Sequence, residues 1–94
     1  MNVDEALDVF QRKKRSMGCS ELESLLEAFG FKIRRCSRGG HRVITHPGLP
    51  GFHGGSFDGG HGANSQIRPC YVQTIARIFA QYKSDLDELM ERKK

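Results

Sequence analysis

The four histidines of this chain lie close together in the sequence. They are His41, His46, His53 and His61, and all fall within twenty-one residues. Histidine and cysteine are preferred ligands of zinc, and Cys36 is near the cluster. However, the segment contains no Cys-x-x-Cys pair, and ordering a glycine-rich loop into a rigid tetrahedral site would cost much conformational entropy. We therefore expect no metal ion and no other cofactor, and a protein that binds metal through this loop is kept as the third hypothesis.

His41 is the histidine best placed for chemistry on a phosphodiester, because histidine titrates near neutral pH and can take or give a proton there. In RNA cleavage the 2′-hydroxyl must lose a proton, the leaving 5′-oxygen must gain one, and a cation must stabilise the phosphoryl oxygens. Gly39 and Gly40 allow close backbone approach to a phosphate. Arg38 and Arg42 supply positive charge on either side. The alternative is an ordinary exposed strand histidine beside arginines.

Basic residues are concentrated in the middle of the chain. Between Glu27 and Asp85 the only acid is Asp58, against eight lysines and arginines, so this stretch has a net charge of +7. The eight are Lys32, Arg34, Arg35, Arg38, Arg42, Arg68, Arg77 and Lys83. Such a concentration is typical of a protein that binds a polyanion, RNA or DNA first and anionic lipid second. The alternative is a solvated charged face without a partner.

The size and composition of the chain limit its class. With 94 residues it has room for one domain and one hydrophobic core. No apolar run approaches the ~18 residues that a membrane helix needs, and the acidic N-terminus is unlike a secretory signal. We therefore expect a cytoplasmic protein with no membrane partner. Three widely spaced cysteines favour reduced, buried thiols over a disulfide framework.

Apolar residues at helical spacing predict two helices before the basic stretch. The first covers residues 3–15 and is stopped by Gly18. The second covers residues 21–29 and is ended by the glycine that follows it. Ser20 and Glu23 have the spacing of a capping box, in which each side chain bonds the other residue's free amide at the helix start.

The remaining elements follow from alternation, glycine content and a proline. Alternating residues predict strands over 31–36 and 41–46, joined as an antiparallel hairpin by a glycine turn. The segment 47–66 holds seven of the eleven glycines and is predicted to be a long surface loop, with a short third strand at 55–58. A proline at the first helical position predicts a helix over 69–83.

These elements predict an α+β fold, with helices packed on one face of an antiparallel sheet of two or three strands. We expect a single domain over 1–94, made of a helical extension (1–18), a core (20–83) and a C-terminal helical extension (84–94). The last helix should project, or turn back at Ser84 and Asp85. Most of the hydrophobic core should come from Leu22, Leu25, Leu26, Phe29, Phe31, Ile33, Val72, Ile75 and Phe79.

Three segments together resemble the HicA family of bacterial toxins. They are LLEAFGFKIRR at 25–35, GHRVITHP at 40–47 and IRPCYV at 67–72, the last leading into a closing helix. The resemblance covers roughly residues 21–82, most of the chain, and depends on the combination of a leucine helix, a Gly-Phe strand and a hairpin with glycine before histidine.

The resemblance implies a fold similar to the double-stranded-RNA-binding domain and a metal-independent ribonuclease that acts on mRNA. In that family an essential histidine begins the second strand, and His41 matches it. The family's usual partner is a HicB antitoxin that covers the nuclease surface. This chain differs in three features: Gly40 replaces the family's serine, the loop 47–66 is longer, and the first helix has no counterpart in the smallest members.

The leading hypothesis is therefore a toxin-type mRNA interferase in which His41 transfers the proton. The residues predicted to bind RNA are Lys32, Arg34, Arg35, Arg38, Gly39, Gly40 and Arg42. Strand alternation should place His46 on the face opposite His41. The expected partners are mRNA, a HicB-like antitoxin and a second copy bound through the C-terminal helix. The alternative hypothesis is a non-catalytic RNA-binding module with the same arginines on phosphates.

Overall fold

The part of the chain that the structure describes contains four helices and one three-stranded antiparallel sheet. The computed structural model describes residues 1–35, 40–59 and 65–92. In chain order the elements are α1 (Val3–Arg12), α2 (Cys19–Ala28), β1 (Lys32–Arg35), β2 (His41–Thr45), β3 (Gly55–Asp58), α3 (Pro69–Gln81) and α4 (Lys83–Arg92). The strands lie in the order β1-β2-β3. The predicted α+β class is confirmed, and so is the short third strand.

The strand register assigns each side chain of the sheet to one of two faces. Directly opposed residues point to the same face, and successive residues alternate. The open face carries Lys32, Arg34, His41, Val43, Thr45, Ser56 and Asp58. The covered face carries Ile33, Arg35, Arg42, Ile44 and Phe57. Helices α2 and α3 lie against the covered face, where Ile44 and Phe57 are buried.

The hydrophobic core is built around Phe79 of α3. Its ring centroid lies 5.1 Å from that of Phe10, 5.0 Å from that of Phe29 and 5.4 Å from that of Phe31. These rings come from α1, the end of α2 and the residue before β1, so one aromatic cluster joins three parts of the fold. Of the nine residues predicted for the core, seven are buried, and the other two, Leu25 and Ile33, are partly buried.

The N-terminal helix is part of this core rather than an extension from it. Val3 is 0% exposed and Phe10 is 2% exposed. The helix begins with a capping box, in which the Asn2 side chain accepts from the Glu5 amide at 2.9 Å and the Glu5 carboxylate accepts from the Asn2 amide at 3.1 Å. It ends at Arg12, about one turn earlier than predicted.

The second helix begins without the capping box that the sequence predicts. Its N-cap is Gly18, and no side chain among the described residues bonds a free amide at the helix start. The Cys19 amide donates instead to the carbonyl oxygen of Ser65 at 2.7 Å, so a distant segment fixes the start of the helix. The prediction for Ser20 and Glu23 is therefore wrong, and the Glu23 carboxylate bonds arginines of the sheet.

The last helix turns back onto the first. α3 and α4 are separated at Tyr82, two residues before the turn predicted at Ser84. The Val3 amide donates to the Asp87 carboxylate at 2.8 Å, and Leu86 is 0% exposed. The apolar side of the C-terminal helix thus has a partner within the chain. A homodimer through this helix stays a prediction, and it would have to use the residues that remain exposed.

Candidate functional site

The open face of the sheet carries a group of exposed polar side chains. His41 is exposed at the start of β2, and Lys32 and Arg34 are exposed on β1. The register brings these three predicted site residues to one side of the sheet. Among the residues that the structure describes, neither Lys32 nor Arg34 takes part in an ion pair. Both positive charges are therefore available to a ligand.

Asp58 lies directly across the sheet from His41. The amide of Gly59 donates to the carbonyl oxygen of Gly40 at 2.9 Å, which makes the neighbouring pair a hydrogen-bonded one. Because the two kinds of pair alternate along an antiparallel ladder, His41 and Asp58 form a pair of the kind whose side chains are closer, with Cβ atoms about 5 Å apart. A carboxylate at this cross-strand position can orient the imidazole ring.

Sequence reasoning missed Asp58 as a site residue, although a signal was present. It is the only acid between Glu27 and Asp85. Its position opposite His41 could not be identified from the sequence, because that position depends on the pairing of β2 with β3.

Arg34 is the cation closest to His41 on the described part of the open face. It is paired with Val43, which lies two residues from His41 along β2. A diagonal separation of this kind is roughly 7–8 Å between Cα atoms, within reach of a long side chain. The Arg34 guanidinium can therefore reach a ligand held at His41.

Arg42 is not on the face that carries His41. Its side chain is on the covered face and only 8% exposed, and its Nε donates to Glu23 Oε2 at 2.9 Å. The prediction that Arg42 lies beside His41 as a phosphate contact is corrected by this position, because adjacent residues of a strand point to opposite faces. Arg35 also extends from this face and lies 3.3 Å from Glu23, with most of its side chain exposed.

The Glu23–Arg42 pair holds the backbone just before His41. Arg42 Nη1 donates to the carbonyl oxygen of Gly40, which also accepts from the amide of Gly59. The thiol of Cys19 lies against the same cluster, and its burial raises its pKa, an effect partly opposed by the charge of Arg42. Cys19 is therefore a protonated, buried thiol rather than a nucleophile.

His46 has a structural role. It is 8% exposed, on the face opposite His41 as predicted. The Gly48 amide donates to its Nδ1 at 3.1 Å, so Nε2 carries the proton and donates to the carbonyl oxygen of Phe29 at 2.9 Å. Gly30 gives it room: a Cβ there would lie 2.9 Å from Nε2. This glycine has φ +91° and ends α2, as the sequence predicts.

Some predicted residues lie outside the described part of the chain. They are Arg38, Gly39 and His61, together with Cys36. Across the described ranges, no three histidine, cysteine, aspartate or glutamate side chains are grouped so as to hold a metal ion. The expected burial of the thiols is wrong for Cys70, which is exposed at the start of α3.

Comparison of the chain with protein-family models, with curated proteins and with solved structures found no match. Support for a function therefore comes from the chain's own residues and their arrangement. Over residues 1–35, 40–59 and 65–92, no helix combines the length and the apolar character needed to cross a membrane.

Proposed function

We propose that this protein is a toxin-type endoribonuclease that cleaves cytoplasmic mRNA without a metal ion, using His41 for proton transfer. The observation that carries the proposal is the position of His41: it is exposed on the open face, opposite Asp58, with Lys32 and Arg34 on the same face. This combination provides a proton-transfer group, a carboxylate to orient it and two cations for a polyanion.

The chemistry of such a site balances without an external reactant. The 2′-oxygen of one nucleotide attacks the adjacent phosphorus and loses its proton, while the bond to the 5′-oxygen breaks and that oxygen gains a proton. The products are a 2′,3′-cyclic phosphate and a 5′-hydroxyl. His41 performs one of the two proton transfers, and Arg34 stabilises the charge that grows on the phosphoryl oxygens.

Residues on the covered face position the backbone of this site. Arg42, fixed by Glu23, bonds the Gly40 carbonyl oxygen and thereby holds the backbone that presents His41. We assign Arg42 this positioning role in place of direct contact with RNA. Lys32 and Arg34 are the described cations that we assign to RNA. Arg35 was also predicted to bind RNA, but it extends from the covered face beside Glu23, and we leave it out of the proposed RNA path. Arg38, Gly39 and Gly40 stay part of the proposal.

The order of elements supports the assignment to the HicA family. A helix, three antiparallel strands and a helix, here α2 to α3, is the order expected of a fold similar to the double-stranded-RNA-binding domain. A HicB-like antitoxin would inhibit the enzyme most directly by covering the open face, because that surface holds both His41 and the RNA-binding cations.

A non-catalytic RNA-binding module is the second candidate, and one observation favours it. Arg42, the cation that follows His41 in the sequence, is buried away from it. A phosphate that reacts at His41 would therefore meet fewer cations than the sequence predicts. Binding of phosphates alone needs only exposed cations such as Lys32 and Arg34.

The test is cleavage of a labelled single-stranded RNA by the parent and by His41→Ala, in the presence of a chelator. We expect the variant to stay folded by circular dichroism and to bind RNA with similar affinity. Its cleavage rate should fall by about 10²- to 10⁴-fold, the usual contribution of a positioned acid or base. Gln73→Ala, an exposed change on α3, is the control and should cleave at the parent's rate.

Three results would contradict the proposal. Cleavage by His41→Ala at the parent's rate would show that another group transfers the proton. Binding of RNA by the parent without any cleavage would favour the binding module. Cleavage products that never contain a 2′,3′-cyclic phosphate would rule out the metal-free route.

A further inference from the structure

A depression of about 360 Å³ lies at the end of the sheet far from His41. Its volume falls in the range of small-molecule sites, roughly 300–1,000 Å³. Lys32 and Thr45, which are cross-strand partners on the open face, form its border with the sheet. Pro47, Phe52 and His53 line it on the loop side. Nothing in the proposed cleavage chemistry uses this depression.

We propose that the depression binds one unpaired nucleobase of a single-stranded RNA. The inference depends on the proposed function, because it extends the RNA path from the open face to a second point of contact. The proposed function does not say which form of RNA the enzyme binds. The base site specifies single-stranded RNA, with one base held at a fixed distance from the cleaved bond.

The lining residues suit a flat aromatic ligand. Unpaired RNA bases are commonly recognised by stacking on aromatic side chains, histidine included. His53 is exposed and offers a ring face. The ring of Phe52 is held by edge contacts with Phe31 at 5.9 Å and Tyr82 at 5.7 Å, so it forms a rigid wall. Thr45 offers a hydroxyl that can bond a base edge.

The depression is continuous with the rest of the proposed RNA path. Lys32 lies at its border, Arg34 lies two residues along β1 on the same face, and His41 is reached beyond Arg34. Thr45 and His41 are four residues apart on β2, about 14 Å at the rise of an antiparallel strand. A strand with one base in the depression would therefore pass its next phosphates over Lys32 and Arg34 before it reaches His41.

Base-paired RNA cannot make this contact. In a duplex the bases are stacked and paired inside the helix, and a protein meets mainly phosphates and 2′-hydroxyls. A base can enter the depression only from a single-stranded region. Duplex RNA should therefore gain affinity from Lys32 and Arg34 and none from His53.

The test measures the affinity of fluorescent 2′-O-methyl RNA, which lacks the hydroxyl needed for cleavage and so stays intact. Three ligands of equal length are compared: a single strand with bases, the same strand with abasic positions, and a duplex. His53→Ala should weaken binding of the single strand with bases by about tenfold and leave the other two affinities unchanged. His53→Phe, which keeps a ring face, should bind like the parent. Gln73→Ala serves as the unrelated control.

Each other outcome overturns a defined statement. If His53→Ala weakens the strand with bases and the abasic strand equally, the residue contacts the backbone, and the base site is wrong. If His53→Ala has no effect while a Lys32→Gln, Arg34→Gln double variant binds less tightly, RNA binding on the open face stands and only the base site fails. If the parent binds none of the three ligands, the proposed function fails together with this inference.

Discussion

His41 and His46 illustrate how much the position of one residue decides. Both are associated with the same strand, yet His41 is exposed on the open face and His46 is buried on the other, where both ring nitrogens are bonded to the backbone. The difference follows from the alternation of a strand, since residues an odd number apart point to opposite faces. Proton transfer to a substrate needs access, which His41 has and His46 does not.

A prediction at the residue scale concerns Gly59, which follows β3. A Cβ at this position would lie 2.5 Å from Cys19 Sγ and 2.7 Å from Arg42 Nη1, and both side chains are buried. We expect Gly59→Ala to lower the free energy of unfolding by about 1–3 kcal/mol, because an overpacked core must shift to accept the methyl group. Denaturation with urea measures the change.

The matched control for this change is Gly55→Ala, at the first residue of β3. There the nearest atoms to an added Cβ are Ile78 Cδ1 at 3.4 Å and Ile44 Cγ1 at 3.5 Å, which are ordinary contacts. This variant should be as stable as the parent or slightly more stable, since alanine loses less backbone entropy than glycine on folding. Equal stability of the two variants would mean that the space around Gly59 is larger than the structure indicates.

At the scale of elements, the ion pair between α2 and β2 connects the helix layer to the candidate site. The side chains of Glu23 and Arg42 are 14% and 8% exposed. Removing one member of a buried pair takes away the opposite charge that stabilises the other member out of water. The same pair holds the backbone before His41, so its loss should affect both stability and cleavage.

We expect Glu23→Ala to lower the free energy of unfolding by about 3–5 kcal/mol, the usual effect of breaking a buried ion pair from one side. Glu27→Ala is the control, because this glutamate is exposed one turn further along the same helix, and its change should stay within about 0.5 kcal/mol. Thermal or urea denaturation distinguishes them. If the two variants were equally stable, Arg42 would be compensated by other groups and the pair would not fix the site.

For the whole molecule, the open face should determine how salt affects RNA binding. Each phosphate contact to single-stranded RNA contributes about 0.7 to the slope of log affinity against log salt. The Lys32→Gln, Arg34→Gln double variant should therefore reduce this slope by about 1.4. Arg35→Gln, on the same strand but on the covered face, should change it little. If Arg35→Gln reduced the salt slope as much per residue, RNA would not be confined to the open face.

Patterns within short stretches of sequence determined the elements and much of the core. Helical spacing of apolar residues gave α2 and α3 within a few residues, and alternation gave β1 and β2 with their antiparallel pairing. The same alternation correctly placed His46 opposite His41. These predictions succeed because helix and strand periodicities are local, so a few neighbouring residues are enough to reveal them. The short third strand at 55–58 is also confirmed, although the glycine-rich segment that contains it has little periodicity.

Only the tertiary structure decided which side chains meet across the fold. The sequence allowed Glu23 to cap its own helix, yet it bonds Arg42, nineteen residues away, because the sheet brings a buried cation within 2.9 Å of it. Asp58 became the neighbour of His41 through the register of β2 with β3. α1 entered the core through Phe10 and Phe79, far apart in the chain. Contacts of this kind depend on how elements dock, and a local pattern of residues does not contain that information.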